Sequence, residues 1–296
     1  MAKGRQLKGR IRSVQNTRKI TKTMELVATS KLKRAQDRVV AARPYASALR
    51  EVIADLVTPE LAERFPLLRR PASPARGGPR RAAIILITSN RGLAGGFNAN
   101  LIKEARRRIE SLEAEGYEPE LYGIGKKGIG FFRYLGRKFA TERVDIGDRP
   151  TAEHAAEVVQ PLIEAYERGE LASVDLVYAQ FQSAIATPPA TVRILPVEAP
   201  DAKAAEKGIR PDYILAPGPD ELLAKLLPLY VRNALYRGLV ETAAGEHGAR
   251  RTAMKNATDN AGEILEVLKR TYNRQRQAAI TQEISEIVGG AAALQG

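Results

Sequence analysis

The chain has 296 residues, 44% of them hydrophobic and 27% charged, enough to bury a substantial core, which excludes a chain disordered throughout. It has no cysteine and only two widely spaced histidines, His154 and His247, which excludes disulfides, thiolate metal centres and a zinc site built from these histidines alone. The net charge of +13 calls for an anionic partner, whether nucleic acid, lipid headgroups or an acidic protein surface, and 5% aromatic residues without Trp suits long helices better than a wholly globular protein.

The first element is a basic helix. Residues 1–43 carry thirteen Lys and Arg against two acids, Glu25 and Asp37, so +11 of the net charge lies in this segment. It reads as mature cytoplasmic sequence, because no apolar run and small-residue cleavage site follow Met1. Leu7, Ile11, Val14, Ile20, Met24 and Val27 recur at helical spacing and predict one apolar stripe on an otherwise basic helix. All 17 prolines fall between Pro44 and Pro228, leaving both ends free of the strongest helix breaker. Pro44 should bend the first helix, and the amphipathic pattern resumes from Tyr45 to a boundary at Thr58-Pro59.

The middle of the chain changes character. A Pro-, Gly- and Arg-rich stretch, 69–81, leads to strands expected at Ala82–Thr88, Leu121–Gly125, Val174–Phe181 and Val192–Val197, with helices at Leu101–Ala114 and Ala152–Glu167. A turn-rich segment, Pro211–Pro219, leads out again. The longest strongly apolar run, Ala82–Ile87, is far below the roughly 20 residues of a membrane-spanning helix.

The last element is a helix whose 60 residues from Leu229 to Val288 lack proline and would extend about 90 Å. Arg250, Met254, Ala257, Ala261, Ile264, Leu268, Thr271, Gln275, Ala278, Gln282 and Ser285 alternate four and three apart, a heptad seam. Its occupants are small or polar, which predicts two kinds of neighbour, a partner helix and a surrounding protein. The expected fold class is α/β: a long antiparallel coiled coil of N- and C-terminal helices (1–57 and 219–290) with an inserted small α/β domain, a Rossmann-like sheet, at 75–215.

Two glycine motifs suggest nucleotide chemistry and have plainer readings. Gly123-Ile-Gly125-Lys-Lys-Gly128 follows an expected strand and opens a helix, with Asp145 at the distance of a ribose-binding acid, as in a dinucleotide fingerprint. It belongs to the second strand rather than the first, and a tight strand-to-helix turn explains its glycines equally well. Arg91–Asn98 is Gly-rich but lacks the Gly-Lys-Ser/Thr ending of a phosphate loop, so a connection whose Asn98 or Asn100 caps the next helix is favoured. His154 and His247 have no evident partner and default to exposed or locally hydrogen-bonded side chains. Glu263, Glu266, Glu283 and Glu286 lie among Lys269, Arg270, Arg274 and Arg276 and read as a mixed-charge surface rather than a metal site. The N-terminal basic helix lacks aromatic readers before Tyr45, which weakens a nucleic-acid reading. No catalytic residue, cofactor or metal is expected. A dehydrogenase would show cofactor protection against heat and a nucleic-acid binder a steep salt dependence.

Four stretches in order, Ser13–Lys31, Asn90–Asn98, Ala253–Asn260 and Ile280–Ala291, resemble the signatures of the gamma subunit of F-type ATP synthase. Ala94 stands where many relatives carry Cys, and no Cys-bearing insertion is present, so thiol regulation is not expected. The resemblance implies a non-catalytic rotor shaft of a bacterial complex, peripheral to the cytoplasmic face of the inner membrane. It implies a ring of alpha and beta subunits around the shaft, an epsilon subunit at its foot and a membrane ring of c subunits that turns it by proton flow. On that reading Arg18, Lys19, Lys22, Met24, Arg250, Arg251, Lys255, Arg274, Gln277 and Thr281 contact the alpha/beta ring, Tyr213 contacts the c ring, and Gly289–Leu294 forms a smooth bearing.

Overall fold

The computed structural model describes residues 2–69, 80–198 and 218–295. The expected linkers lie mostly outside these residues, as do the boundaries near 75 and 215 and Tyr213. In chain order the elements are helix α1 (Ala2–Leu56), α2 (Pro59–Arg64), strand β1 (Arg80–Ile87), α3 (Phe97–Ala114), β2 (Tyr117–Ile124) and α4 (Lys126–Tyr134). They continue with β3 (Phe139–Arg143), α5 (Ala152–Glu167), β4 (Leu171–Ala179), β5 (Pro189–Leu195) and the 77-residue α6 (Pro219–Gln295). The chain forms two compact units, Thr29–Ala249 and the pair of segments Met1–Ala28 and Arg250–Gly296.

In the larger unit the strands lie in the order β3-β2-β1-β4-β5, all parallel except β5, which runs antiparallel to β4. The central strands β1 and β4 are buried along nearly their whole length, as parallel strands covered on both faces should be. Alternation along β1 assigns the faces. Ala82, Ile84 and Leu86 pack with Leu101, Ala105, Ile109 and Leu112 of α3, whereas Ala83, Ile85 and Ile87 face Val159, Leu162 and Tyr166 of α5. The second layer also holds Leu223, Leu227, Val231, Leu235 and Leu239, a stripe of α6 with a residue every four positions, and Leu49, Ile53 and Leu56 of α1. That packing explains why Pro44 sits inside α1 without ending it. The lost backbone bond is outweighed by burial of Ala46, Leu49 and Ile53 immediately beyond. The helix ends at Leu56, and Thr58 then caps α2 by accepting from the Leu61 amide.

β3 was not expected from the sequence. Its five residues, Phe-Ala-Thr-Glu-Arg, occupy a sheet edge with none fully buried, so neither an apolar run nor a clean alternation marks them. α5 matches its expected bounds because Thr151 marks its start, with reciprocal bonds between Thr151 and His154.

The smaller unit pairs the start of α1 with the second half of α6, running in opposite directions. Thr21 meets Thr258, and one turn earlier in α1 the Arg18 side chain lies against Gly262, one turn later in α6. The buried seam differs from the expected one by a single residue at alternate positions. Met254 and Ala261 are buried as expected, but Thr258 and Leu265 replace Ala257 and Ile264, and Ile264 is 51% exposed. On α1 the buried positions are Thr21 and Ala28, while Ile20 and Val27 are exposed by 60% and 52%. Residue size explains the shift. Small Thr and Ala let the two backbones approach, and Thr258 donates to Thr21, which donates to the Arg18 carbonyl, so the buried hydroxyls are satisfied.

Candidate functional site

The fingerprint glycines are structural. A Cβ on Gly123 would lie 2.6 Å from Ile129 and 2.8 Å from Phe139, and one on Gly128 2.9 Å from Thr88. Gly125 has φ +97°, and its Cβ would sit 2.0 Å from the Thr88 carbonyl oxygen, so only glycine fits. The amides that would cradle a pyrophosphate are already in use. Lys126 donates to Asn90 Oδ1 at 3.0 Å, Lys127 to the Ser89 carbonyl at 3.1 Å, Gly128 to Thr88 Oγ1 at 2.9 Å and Ile129 to the Gly125 carbonyl at 3.4 Å. The loop after β1 therefore caps α4 from outside. Asp145 is engaged as well: hydrogen bonds from Arg143 at 2.6 and 2.8 Å hold its carboxyl down to about 2.

Strand order places the topological switch between β1 and β4, where open α/β sheets receive ligands. Here α6 covers the carboxyl end of β4. Thr242 Oγ1 accepts from the Ala179 amide and Glu241 from the Phe181 amide. Gly245 lies so close that a Cβ would come within 3.1 Å of Phe97 and 3.2 Å of Thr187.

In the second glycine motif Leu93 and Gly95 take positive φ. The helix start at Gly96 has no side-chain cap, correcting the expectation for Asn98 or Asn100. Asn98 instead turns back to Ser89, accepting from its amide at 3.0 Å and donating to its hydroxyl at 2.8 Å. The motif thus fixes the loop that in turn caps α4.

The histidines part company. His154 belongs to the Thr151 cap, a local hydrogen bond as expected. His247 is buried, with Nε2 3.8 Å from Asp148. Asp148 also pairs with Lys31, and its backbone carbonyl accepts from Arg38 at 3.1 Å. Burial pushes the Asp148 carboxyl up, but the Lys31 hydrogen bond and the charges of His247 and Arg91 outweigh it and hold it below its ordinary range. Sequence reasoning missed this cluster, since its members come from α1, α6 and the loop before α5. The nearest signal is Gly245 and Gly248, which mark a helix face packed closely at that level.

Ten of the candidate partner-contact residues share the smaller unit: Arg18, Lys19, Lys22, Met24, Arg250, Arg251, Lys255, Arg274, Gln277 and Thr281. Met24, Arg250 and Arg251 are half-buried and the other seven exposed. Lys22 pairs with Glu25 at 3.2 Å, and Thr281 donates to the Gln277 carbonyl at 3.0 Å. Of the four glutamates in this region, Glu266 lies 3.8 Å from Arg270, and no cluster of acids or histidines among the described residues has the makings of a metal site. By sequence this unit carries fifteen cations against six acids, a surplus of nine. No helix among the described residues is long and apolar enough to cross a membrane.

A sequence model of the ATP synthase family matches residues 3–294. The chain is 62% identical to the ATP synthase gamma chain of Gemmatimonas aurantiaca, with both chains covered in full, and 45% identical to that of Desulfitobacterium hafniense, again over both whole chains. Among solved structures it is similar to a chain of the rotor of Euglena gracilis mitochondrial ATP synthase, with a TM-score of 0.66, 19% identity, and 94% of this chain and 99% of that one covered. The order of the elements, the glycines spent on packing and these likenesses agree: the chain belongs to the ATP synthase gamma chain family.

Proposed function

We infer that this chain is the central stalk of an ATP synthase, a structural rotor subunit that conveys rotation and carries out no chemistry itself. The observation that carries this reading is the paired-helix unit. Its seam is closed by Thr21, Ala28, Thr258 and Ala261 together with Met254 and Leu265, while other large apolar side chains, Ile20, Leu26, Val27, Ile264 and Val267, remain outward beside a basic surface. A helix pair that has satisfied its own seam and still exposes apolar and cationic residues fits a protein sleeve.

On this reading the sleeve is a ring of alpha and beta subunits, an epsilon subunit and a membrane ring of c subunits sit at the foot, and the complex lies on the cytoplasmic face of a bacterial inner membrane. Residues 1–57 and 219–290 serve as the shaft and 75–215 as its base. The faces of the shaft differ: Arg18, Lys19 and Lys22 offer charge on α1, whereas Arg250, Arg251, Lys255, Arg274, Gln277 and Thr281 offer mixed polar groups on α6. Each ring subunit therefore meets a different surface, and rotation shifts its conformational equilibrium and its affinity for nucleotide. Tyr213 is our candidate for contact with the c ring. Reconstituting alpha and beta with and without this chain tests the reading. The chain should confer sustained ATP hydrolysis on the assembled ring, and equal hydrolysis without it would refute the assignment.

A further inference from the structure

The shaft reading gives no role to one of the cavities of the larger unit. It lies at the carboxyl ends of β1 and β2, walled by α6 and the loop after β3, and its volume of about 620 Å³ falls in the range of small-molecule sites. We propose that this cavity binds a small phosphate-bearing molecule with an apolar body, its phosphates held by Arg91, Lys126 and Arg149.

The floor is apolar, made by Ile87, Ile124 and Ile146 with Leu239 and Ala243 of α6. The polar part of the lining holds three acids and three cations. Asp145 pairs with Arg143, which also pairs with Glu157, Asp148 pairs with Lys31, and Glu246 is the third acid. Against it stand Arg91, Lys126 and Arg149, all exposed, and no side chain of the three makes a hydrogen bond or ion pair among the described residues. Arg91 lines the cavity from the loop that follows β1.

The location follows from the topology. α6 fills the switch-point crevice between β1 and β4, and the α4 amides are spent on the β1 loop, so a dinucleotide has no cradle there. The same helix leaves open the neighbouring space over β1 and β2 and contributes one of its walls. Recognition therefore rests on side-chain cations, as salt-sensitive point charges and planar guanidinium groups, rather than on a helix N-terminus. An apolar body on the floor adds affinity that bare phosphate lacks.

Calorimetric titration of the isolated full-length chain at low salt, with ADP, pyrophosphate and adenosine in turn, tests this proposal independently of assembly with any partner. ADP should bind most tightly, pyrophosphate more weakly and adenosine not measurably. The doubly reversed variant K126E/R149E should lose at least about tenfold in ADP affinity, whereas K103E, a reversal on an exposed lysine outside the cavity lining, should not. Absence of ADP and pyrophosphate binding at millimolar concentration, or equal binding by the two variants, overturns the site. A second measurement works in the assembled complex. Pyridoxal phosphate condenses its aldehyde with a lysine amine, losing water, and borohydride reduces the imine to a stable amine. Lys126 should be labelled ahead of Lys103 and Lys138, with protection by pyrophosphate, and labelling without preference counts against the proposal. An acidic peptide that binds while ADP does not would make the cavity a protein contact and likewise refute it.

Discussion

Single residues decide whether the glycine motifs mean nucleotide chemistry or packing. Gly125→Ala would force a methyl group to 2.0 Å from a backbone oxygen at φ +97°. It should destabilise the chain by at least about 2 kcal/mol in urea unfolding, while Gly130→Ala, with open space around it, should stabilise α4 slightly. The buried hydroxyl chain makes a second prediction. Thr258→Val should cost about 1 kcal/mol by removing the donor to Thr21, and the double variant with Thr21→Val should cost less than the two single changes together. Asp148 supplies a pH dependence. Its folded-state value lies below the ordinary 3.8, so its contribution is complete above that value and lost as pH falls through the depressed one. Lys31→Met should therefore flatten the acid limb of a stability profile below about pH 4, and an unchanged limb would show that the Lys31 pair does not set it. The tight turn at Gly125 was legible in the sequence, but the contacts around it and the other two roles were not, because each joins residues far apart in the chain: Asn90 to Lys126, Thr21 to Thr258, Lys31 to Asp148.

At the scale of elements, the sequence was most informative where one local rule sufficed. α5 announces itself through Thr151 and a regular apolar face, and β1 through an apolar run long enough for a buried strand. β3 escaped because an exposed edge strand needs no distinctive pattern. The helix seams were legible in period but not in phase. Hydrophobicity alone favours Ile20, Val27 and Ile264, whereas close helix packing selects Thr21, Ala28 and Thr258. The displaced large residues are left exposed, which separates two effects by experiment. Ile264→Asp should change the stability of the isolated chain by no more than about 0.5 kcal/mol, yet it should weaken hydrolysis by the reconstituted ring. Leu265→Ala, at a buried position one residue on, should instead cost about 2 to 3 kcal/mol of stability.

For the whole molecule, the composition had already pointed to a helical, basic, cysteine-free protein, and the family fits that balance. The two ends supply a shaft whose surplus of positive charge lies mostly on α1, where Met24 is half-buried within the basic run. Met24→Lys places another charge there and should lower the number of protons pumped per ATP hydrolysed without abolishing hydrolysis, and an unchanged ratio would remove Met24 from the coupling surface. The central claim is rotation itself. Because the chain has no cysteine, Tyr134→Cys, at a position 88% exposed, gives a single attachment point for a visible probe. With the alpha/beta ring fixed to a surface, the account predicts stepwise rotation of that probe in one direction on adding ATP, and a probe that stays still while ATP is hydrolysed would contradict it.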